Sequence, residues 1–420
     1  MGALRYTNSG MHRCRFVTPL LFPSLLLASL LAFHETRALD LPKLVPNGSV
    51  RVEREDGAPL IRYRDSEQFI PASILKMATT LCALDAMGSD FRYETIFFSD
   101  RSGALFIKGS GDPSLVSETL EQIAIQISKQ LNSVDRIIID TSFFSDDLRI
   151  DGSERSINPY DAKNAAFVGN YSSAQLTHTK QGAVVSAEPQ TPLTPLARQA
   201  GMKLPKGKTD RVNLSSDWRV GVQYGGELIA VFLKKHGVSG SMKISIGSAP
   251  SNAKEIYRHR SPQNLQEISR AMLKYSTNFT ANQIFLTLGV HRFGAPATVE
   301  KGQRAMTECL IHSAGWRDFH VEEGSGLSRK NRVTATQMTD LLRSFERYKF
   351  LLPEQQGFLA KTGSLRGVNS LAGYFYLPDG QQPLRFSILI NSDVPHLYKF
   401  KVANALRSYL AEINQQEKQP

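Results

Sequence analysis

The change between helical and β-rich patterns along the chain most constrains its fold. Residues 39–90 begin with strand-like runs and continue into a helix from Ile74 to Leu84 that Gly88 ends. After residue 255 the pattern predicts further helices at 262–274, 276–288, 298–314, 334–347 and 396–413. Two β-rich runs, with Asp379-Gly380 as the turn between them, precede the last helix. The two ends therefore predict one domain, in which helices cover an antiparallel sheet.

The middle of the chain, residues 91–254, has a different character and predicts an inserted α+β domain. "YETIFFSDRSGALFIKG" reads as a hairpin, "SETLEQIAIQISKQL" as a helix and "VDRIIIDTSFF" as a buried strand. Residues 150–215 read as loops and short strands, and "GGELIAVFLKKHGVSG" as a short helix. We therefore expect an α+β fold with one domain at 39–90 plus 255–420 and the insert between.

The N-terminus resembles a secretory signal. Arg5, Arg13 and Arg15 precede the apolar run "FVTPLLFPSLLLASLLAF", and small residues follow at Thr36 and Ala38. We expect residues 1–38 to be a signal peptide, with an uncleaved anchor as the alternative. The chain would then be exported, to the periplasm in a Gram-negative source. No second apolar run is long enough to span a membrane.

The net charge of the chain indicates which kinds of molecule it could bind. Removing residues 1–38, with four arginines and one glutamate, lowers the formal net charge from +11 to +8. A basic exported protein suits an anionic polymer, a membrane surface or a carboxylate-bearing substrate, and export argues against nucleic acid.

Cys82 and Cys309 lie in apolar helical contexts, so we expect buried free thiols rather than a disulfide. The histidines show no metal-ligand spacing, and we expect no metal and no cofactor.

The segment "PASILKMATT" places Ser73 three residues before Lys76. Pro71 suits a helix start, so Ser73 falls in the first turn, where unpaired N–H groups favour a developing oxyanion. Residues i and i+3 share a helix face, and a partly desolvated lysine can activate a serine. Because S-x-x-K also occurs by chance in long chains, this motif needs support from elsewhere.

Two later segments supply that support. "KYSTNFTANQIF" contains Ser276 and Asn278 at a predicted helix–helix junction, and "FLAKTGSLRG" contains Lys361-Thr362-Gly363 on a predicted strand. The order S-x-x-K, S-x-N, K-T-G resembles the signature of penicilloyl-serine transferases. Ser276 lies 203 positions after Ser73, which leaves room for a whole domain between them. That spacing resembles the class C low-molecular-mass penicillin-binding proteins, the D-alanyl-D-alanine carboxypeptidase/endopeptidase family.

Other segments are similar to that family from about residue 45 to 412. These are "GSGDPSL" at 109–115, "EGSGLSRKNRVTA" at 323–335 and "AKTGSLRGVNSLAGY" at 360–374. Glu323 stands where the family more often has aspartate, so it receives no role here. Asp112 reads as a turn former rather than a catalytic acid. The resemblance implies a penicillin-binding-protein/β-lactamase-like transpeptidase domain with an inserted domain.

The resemblance also implies a catalytic set. Ser73 is expected to attack the carbonyl between two D-alanines, with Lys76 as its base. Ser276 is expected to relay the proton to the leaving amine. The N–H groups of Ser73 and Ser364 are expected to form the oxyanion hole.

The remaining residues are expected to bind substrate. Asn278 would hold the acyl-side amide and contact Lys76, and Lys361 and Thr362 would bind the terminal carboxylate. Gly363 is expected to leave room for substrate against the strand.

Three functions stay open at this point. The preferred one is a periplasmic serine D-Ala-D-Ala carboxypeptidase that acts on peptidoglycan stem peptides, is acylated by β-lactams and also has DD-endopeptidase activity. A serine β-lactamase is the second, although class C β-lactamases usually have tyrosine at the position of Ser276. A non-enzymatic peptidoglycan-binding protein is the third. The sequence gives no prediction of oligomeric state.

Overall fold

The computed structural model describes residues 39–378 and 382–416. The predicted signal peptide, the Asp379-Gly380 turn and residues 417–420 lie outside the described residues. Within the described part of the chain, no helix is both long and apolar enough to cross a membrane.

The described residues form helices and strands, numbered here in chain order. The helices are α1 (Leu41–Leu44), α2 (Lys76–Met87), α3 (Ser117–Ser128), α4 (Pro195–Gly201), α5 (Trp218–Lys235), α6 (Leu265–Tyr275), α7 (Asn278–Phe293), α8 (Val299–Ala314), α9 (Ala335–Phe345) and α10 (Tyr398–Gln416). The strands are β1 (Gly48–Glu53), β2 (Pro59–Tyr63), β3 (Glu94–Ser99), β4 (Ala104–Lys108), β5 (Arg136–Asp140), β6 (Ser173–His178), β7 (Val184–Ser186), β8 (Lys208–Asn213), β9 (Lys243–Ile246), β10 (Lys254–Arg260), β11 (Glu354–Gln355), β12 (Phe358–Leu365), β13 (Val368–Phe375) and β14 (Leu384–Ile390). Short 3₁₀ turns lie at Ala72–Leu75, Pro159–Asp161, Asn170–Ser172 and Glu346–Leu351.

The first sheet joins the two ends of the chain. Its strands are antiparallel in the order β11-β12-β13-β14-β1-β2. Alternate residues of β13 face opposite sides: Leu371 and Phe375 pack with α10, whereas Ala372 and Tyr374 join the core of α2, α6, α7, α8 and α9. Helices thus cover both faces of an antiparallel sheet, which confirms the predicted α+β class.

The middle of the chain builds two further sheets. The larger has the order β10-β3-β4-β5-β9 and mixes antiparallel with parallel pairs, and α3 and α5 pack with it in one apolar core. The smaller has the order β7-β6-β8. The predicted hairpin is β3 and β4. Because β10 pairs with β3, this sheet extends to Arg260, six residues beyond the expected boundary at 254; the domain limits themselves stay a prediction.

Three expectations were wrong. Cys82 and Cys309 form a disulfide that joins α2 to α8, rather than two free thiols. The partners are 227 residues apart, so the apolar setting of each cysteine gave no sign of the other. The predicted short helix is the 18-residue α5, which starts at Trp218, and the region 150–215 contains a helix, α4.

Candidate active site

Ser73 lies in the 3₁₀ turn Ala72–Leu75, directly before α2. Pro71 precedes the turn, and Ala72 has a positive φ of 51°. Residues with side chains adopt such a φ uncommonly, so the turn is held by its surroundings. Lys76 is the first residue of α2, one turn after Ser73, as the i, i+3 spacing predicted.

Lys76 is fully buried among polar acceptors. Its Nζ donates to the Oγ of Ser73 (2.9 Å), to the Oδ1 of Asn278 (2.8 Å) and to the main-chain oxygen of Ser325 (2.7 Å). Burial, followed by the positive charge of Lys361, lowers the pKa of Lys76 well below its usual value, although the nearby carboxylate of Glu323 opposes this shift. A lysine in this setting loses its proton more readily than an exposed lysine and can act as a base.

Ser276 and Asn278 lie where α6 ends and α7 begins. Ser276 takes the left-handed conformation (φ 58°, ψ 34°) that ends α6, and Thr277 precedes α7. The sharp turn directs the two side chains to different partners. Asn278 accepts from Lys76, and Ser276 accepts from the Nζ of Lys361 at 2.9 Å. The structure thus brings the three predicted motifs together.

Lys361, Thr362, Gly363 and Ser364 lie on β12, paired with β13. Lys361 is buried, and its Nζ also donates to the main-chain oxygen of Thr362 (2.9 Å). Burial, and then the positive charge of Lys399, lower the pKa of Lys361 to about 7. Since β11 pairs only with the start of β12, residues 361–365 form an unpaired sheet edge in the part of the chain that the structure describes.

The structure shows a second reason for glycine at position 363, besides the expected one. A Cβ there would lie 2.7 Å from the oxygen of Pro71 and 3.1 Å from the nitrogen of Ser73. The glycine therefore leaves room for the nucleophile's own turn, and its expected role towards substrate stays a prediction. The same close approach brings β12 beside the N–H of Ser73, as the expected oxyanion hole with Ser364 requires.

The loop from Glu323 to Asn331 lies outside the three motifs but contacts the nucleophile's turn and the base. The buried carboxylate of Glu323 accepts hydrogen bonds from side-chain and main-chain donors. These donors are Asn282 Nδ2, Ser325 N, Ser325 Oγ, Ser328 N and Asn331 Nδ2. A Cβ at Gly326, whose φ is +80°, would lie 2.0 Å from the oxygen of Ala72, so this loop closes on the nucleophile's turn. Glycine at this position was the available signal, because a positive φ beside a tight contact favours it.

The segment "GSGDPSL" connects the middle of the chain to α7 through hydrogen bonds. Gln283 of α7 donates to the main-chain oxygen of Gly111 (2.9 Å) and to that of Ala165 (3.1 Å). The Oδ1 of Asp112 accepts from the N–H of Ser114 (2.8 Å), which is the turn contact that the sequence predicted. Across residues 39–378 and 382–416, no cluster of three or more His, Cys, Asp or Glu side chains could hold a metal ion.

Comparison with known proteins decides the family. The sequence profile of the D-Ala-D-Ala carboxypeptidase 3 (S13) family matches residues 35–205, 203–358 and 346–413. The chain belongs to this family. It is therefore a serine-type D-Ala-D-Ala carboxypeptidase, a hydrolase that acts on peptidoglycan, and the resemblance to class C low-molecular-mass penicillin-binding proteins is confirmed.

Two curated carboxypeptidases are similar in sequence to this chain along most of its length. The D-alanyl-D-alanine carboxypeptidase of an Actinomadura species is 25% identical, across 82% of this chain and 77% of the relative. The D-alanyl-D-alanine carboxypeptidase DacB of Haemophilus influenzae is 23% identical, across 84% of this chain and 88% of the relative.

Solved structures agree on the fold. Penicillin binding protein 4 of Haemophilus influenzae matches with a TM-score of 0.72 at 21% identity, over 88% of this chain and 98% of that one. A predatory endopeptidase of Bdellovibrio bacteriovorus matches with a TM-score of 0.53 at 14% identity, over 88% of this chain and 93% of that one.

Proposed function

We propose that this carboxypeptidase cleaves the bond between two terminal D-alanines of peptidoglycan stem peptides through an acyl-enzyme on Ser73. The observation that carries the proposal is the hydrogen bond of 2.9 Å between the buried amine of Lys76 and the hydroxyl of Ser73. A serine hydroxyl is a weak nucleophile unless a base takes its proton, and the lowered pKa of Lys76 supplies that base.

The hydrogen bonds around Lys76 suit the proton transfer. As a neutral amine, Lys76 donates to Asn278 and Ser325 and accepts the proton of Ser73 through its lone pair. The Oγ of Ser73 then bonds to the substrate carbonyl carbon. The N–H groups of Ser73 and Ser364 stabilise the resulting oxyanion.

Collapse of the tetrahedral intermediate breaks the peptide bond. The proton on Lys76 passes to the leaving nitrogen, with the hydroxyl of Ser276 as the relay, and D-alanine departs. Water then attacks the acyl-serine while Lys76 takes a proton from it. The bond between the acyl carbon and the Ser73 Oγ breaks, Lys76 returns the proton to that oxygen, and the shortened peptide leaves. The hydrogen bond from Lys361 orients the hydroxyl of Ser276 for this relay.

The K-T-G strand supports recognition of the substrate. Lys361 supplies a positive charge and Thr362 a directed hydroxyl for the terminal carboxylate. The side-chain amide of Asn278 is next to the base and binds the acyl-side amide of the peptide. The unpaired edge at 361–365 offers main-chain groups to an extended peptide.

β-Lactam acylation and DD-endopeptidase activity follow from the same site. A β-lactam acylates Ser73 but keeps its ring amine tethered, so the acyl-enzyme persists. A structure of the Haemophilus influenzae protein is complexed with a novel β-lactam, and one of a Bdellovibrio predatory endopeptidase is acylated by penicillin G. An endopeptidase reaction differs in the group beyond the scissile amide, so one acyl-enzyme serves both. Residues 1–38 would export the protein to the periplasm, where this substrate lies.

Release of D-alanine from diacetyl-Lys-D-Ala-D-Ala tests the proposal. Wild type is expected to release one equivalent per peptide, and Ser73→Ala is expected to release none. Ser66→Ala, at an exposed serine, is the matched control and should keep the wild-type rate. Release by Ser73→Ala would contradict the assignment of the nucleophile, and an inert wild type would favour the wall-binding alternative. Rapid turnover of benzylpenicillin without D-alanine release would favour the β-lactamase.

A further inference from the structure

Lys399, in the first turn of α10, reaches the back of the K-T-G strand. It is fully buried, and its Nζ donates to the main-chain oxygen of Gly363 (3.0 Å) and to the Oγ of Ser364 (2.5 Å). Lys399 lies outside all three sequence motifs. Its two contacts flank the N–H of Ser364, which is the expected second donor of the oxyanion hole.

The segment that carries Lys399 is fastened to the same pair of strands. Asn369 of β13 is the register partner of Ser364 on β12. Its side chain donates to the main-chain oxygen of Pro395 (2.9 Å) and to that of His396 (3.2 Å), just before α10. These contacts fix the start of α10 and therefore hold the amine of Lys399 in place relative to Ser364.

Lys361 and Lys399 are two buried amines without a carboxylate partner among residues 39–378 and 382–416. Their hydrogen-bond acceptors are hydroxyls and main-chain oxygens. Burial lowers the pKa of Lys399 to about 8, so it carries a proton for most of the time at neutral pH. Buried charge is costly unless an opposite charge compensates it. Two such amines beside one strand therefore favour an anion next to that strand.

The hydroxyl of Ser364 links Lys399 to that anion. An ammonium group can only donate, so the Ser364 oxygen must accept from Lys399. The single hydroxyl proton of Ser364 is then directed to another acceptor. Thr362 and Ser364 share one face of β12, because alternate residues of a strand point the same way. A carboxylate at this face would accept from both hydroxyls.

We propose that Lys399 is a positioning residue that sets the preference for substrates with a free terminal carboxylate. It orients the Ser364 hydroxyl towards that carboxylate and adds a second buried positive charge behind the strand. The inference rests on the proposed function, because it assigns the carboxylate to the face of β12 that carries Thr362 and Ser364.

The test compares two peptides in two variants. Diacetyl-Lys-D-Ala-D-Ala has the free carboxylate, and its C-terminal amide lacks the charge. Lys399→Met removes the charge and the donor while keeping a long side chain in the buried position. Lys401→Met removes an exposed amine from the same helix and is the matched control. Thermal unfolding and complete acylation by excess benzylpenicillin establish that each variant is folded and has a working Ser73.

Lys399→Met is expected to lower kcat/KM for the carboxylate peptide by about 10- to 100-fold, mainly through KM, because a charge-assisted contact is lost. The amide peptide should change by less than about threefold by the same argument. Lys401→Met should leave both values at wild type. The preference for the carboxylate should therefore collapse only in Lys399→Met.

Equal loss with both peptides would overturn the inference and leave Lys399 a structural role in β12. An unchanged value for the carboxylate peptide would also overturn it. These outcomes differ from failure of the proposed function, in which wild type itself neither releases D-alanine nor forms an adduct.

Discussion

The amine of Lys76 donates a hydrogen bond of 2.7 Å to the main-chain oxygen of Ser325, which lies 249 residues further along the chain. Glu323 fixes that oxygen by accepting from the N–H and the hydroxyl of Ser325. Lys76 is thus fixed at its main chain by α2 and at its amine by the loop that contains Ser325. This arrangement places a buried lysine beside Ser73 with its donors satisfied.

Replacing Lys76 separates its role as a base from its charge. Lys76→Met removes both, and Lys76→Arg keeps the charge but supplies no neutral amine near pH 7. Both are expected to lower the rate of acylation by benzylpenicillin by about 1000-fold or more, as loss of a general base does. Mass spectrometry of reaction samples quenched at successive times measures the rate of acylation. Lys129→Met, at an exposed lysine, is the control. Wild-type rates in Lys76→Arg would contradict the role as a base.

Glu323 should tune the pH at which the enzyme becomes active. Its carboxylate raises the pKa of Lys76 against the larger effect of burial. Activity requires neutral Lys76, so it increases as the pH rises through that pKa. Glu323→Gln removes the opposing charge and is expected to shift the acidic limb of kcat/KM to lower pH. The same limb in Glu300→Gln, at an exposed glutamate, should stay at wild type, and an upward shift in Glu323→Gln would contradict the account.

Glu323→Gln should also lower stability. Both carboxylate oxygens accept hydrogen bonds, so an amide nitrogen at either position would face N–H or O–H donors. Leaving buried donors unsatisfied costs about 1–3 kcal/mol. Urea unfolding should show that decrease in the free energy of unfolding. An unchanged midpoint and slope would mean that the loop repacks without Glu323.

The motifs could be predicted from the sequence because each depends on local chemistry. Pro71 predicted the start of the helix that carries Lys76, and the apolar period after Ser276 predicted α7. The disulfide and the roles of Ser325 and Lys399 could not be predicted in this way. The disulfide and both roles depend on contacts between segments far apart in the chain. The sequence around these residues contains no pattern that identifies the distant partner. Gly363 illustrates the limit, since nothing in the sequence indicates that this residue approaches the turn of Ser73, which lies far away in the chain.

The disulfide between Cys82 and Cys309 should contribute measurably to stability. It closes a loop of more than 200 residues, and such cross-links contribute about 2–5 kcal/mol by restricting the unfolded chain. The double variant Cys82→Ala/Cys309→Ala is expected to lower the free energy of unfolding by that amount in urea. Reductant should lower the stability of wild type and leave the double variant unchanged. Equal sensitivity of both proteins to reductant would contradict the prediction.

Asp112 should make stability depend on pH between about 4 and 6. It is buried, and burial raises its pKa to about 6 from an unfolded value of about 3.9. The folded state then binds the extra proton in this range, so the contribution of Asp112 is present below pH 4 and is lost as the pH rises through 6.

The substitution Asp112→Asn tests whether Asp112 lowers the stability of the protein as the pH rises. The variant should match wild type near pH 4 and become more stable than wild type by about 3 kcal/mol at most above pH 6. Urea unfolding at several pH values measures the difference. A difference that stays constant from pH 4 to 7 would contradict the prediction.

Intact-protein and peptide mass spectrometry after exposure to benzylpenicillin tests the central claim most directly. The account predicts that wild type gains the mass of one penicilloyl group, that the adduct maps to the peptide containing Ser73, and that Ser73→Ala gains none. No adduct on wild type without penicillin turnover, or an adduct on another residue, would contradict the assignment of Ser73 as the nucleophile.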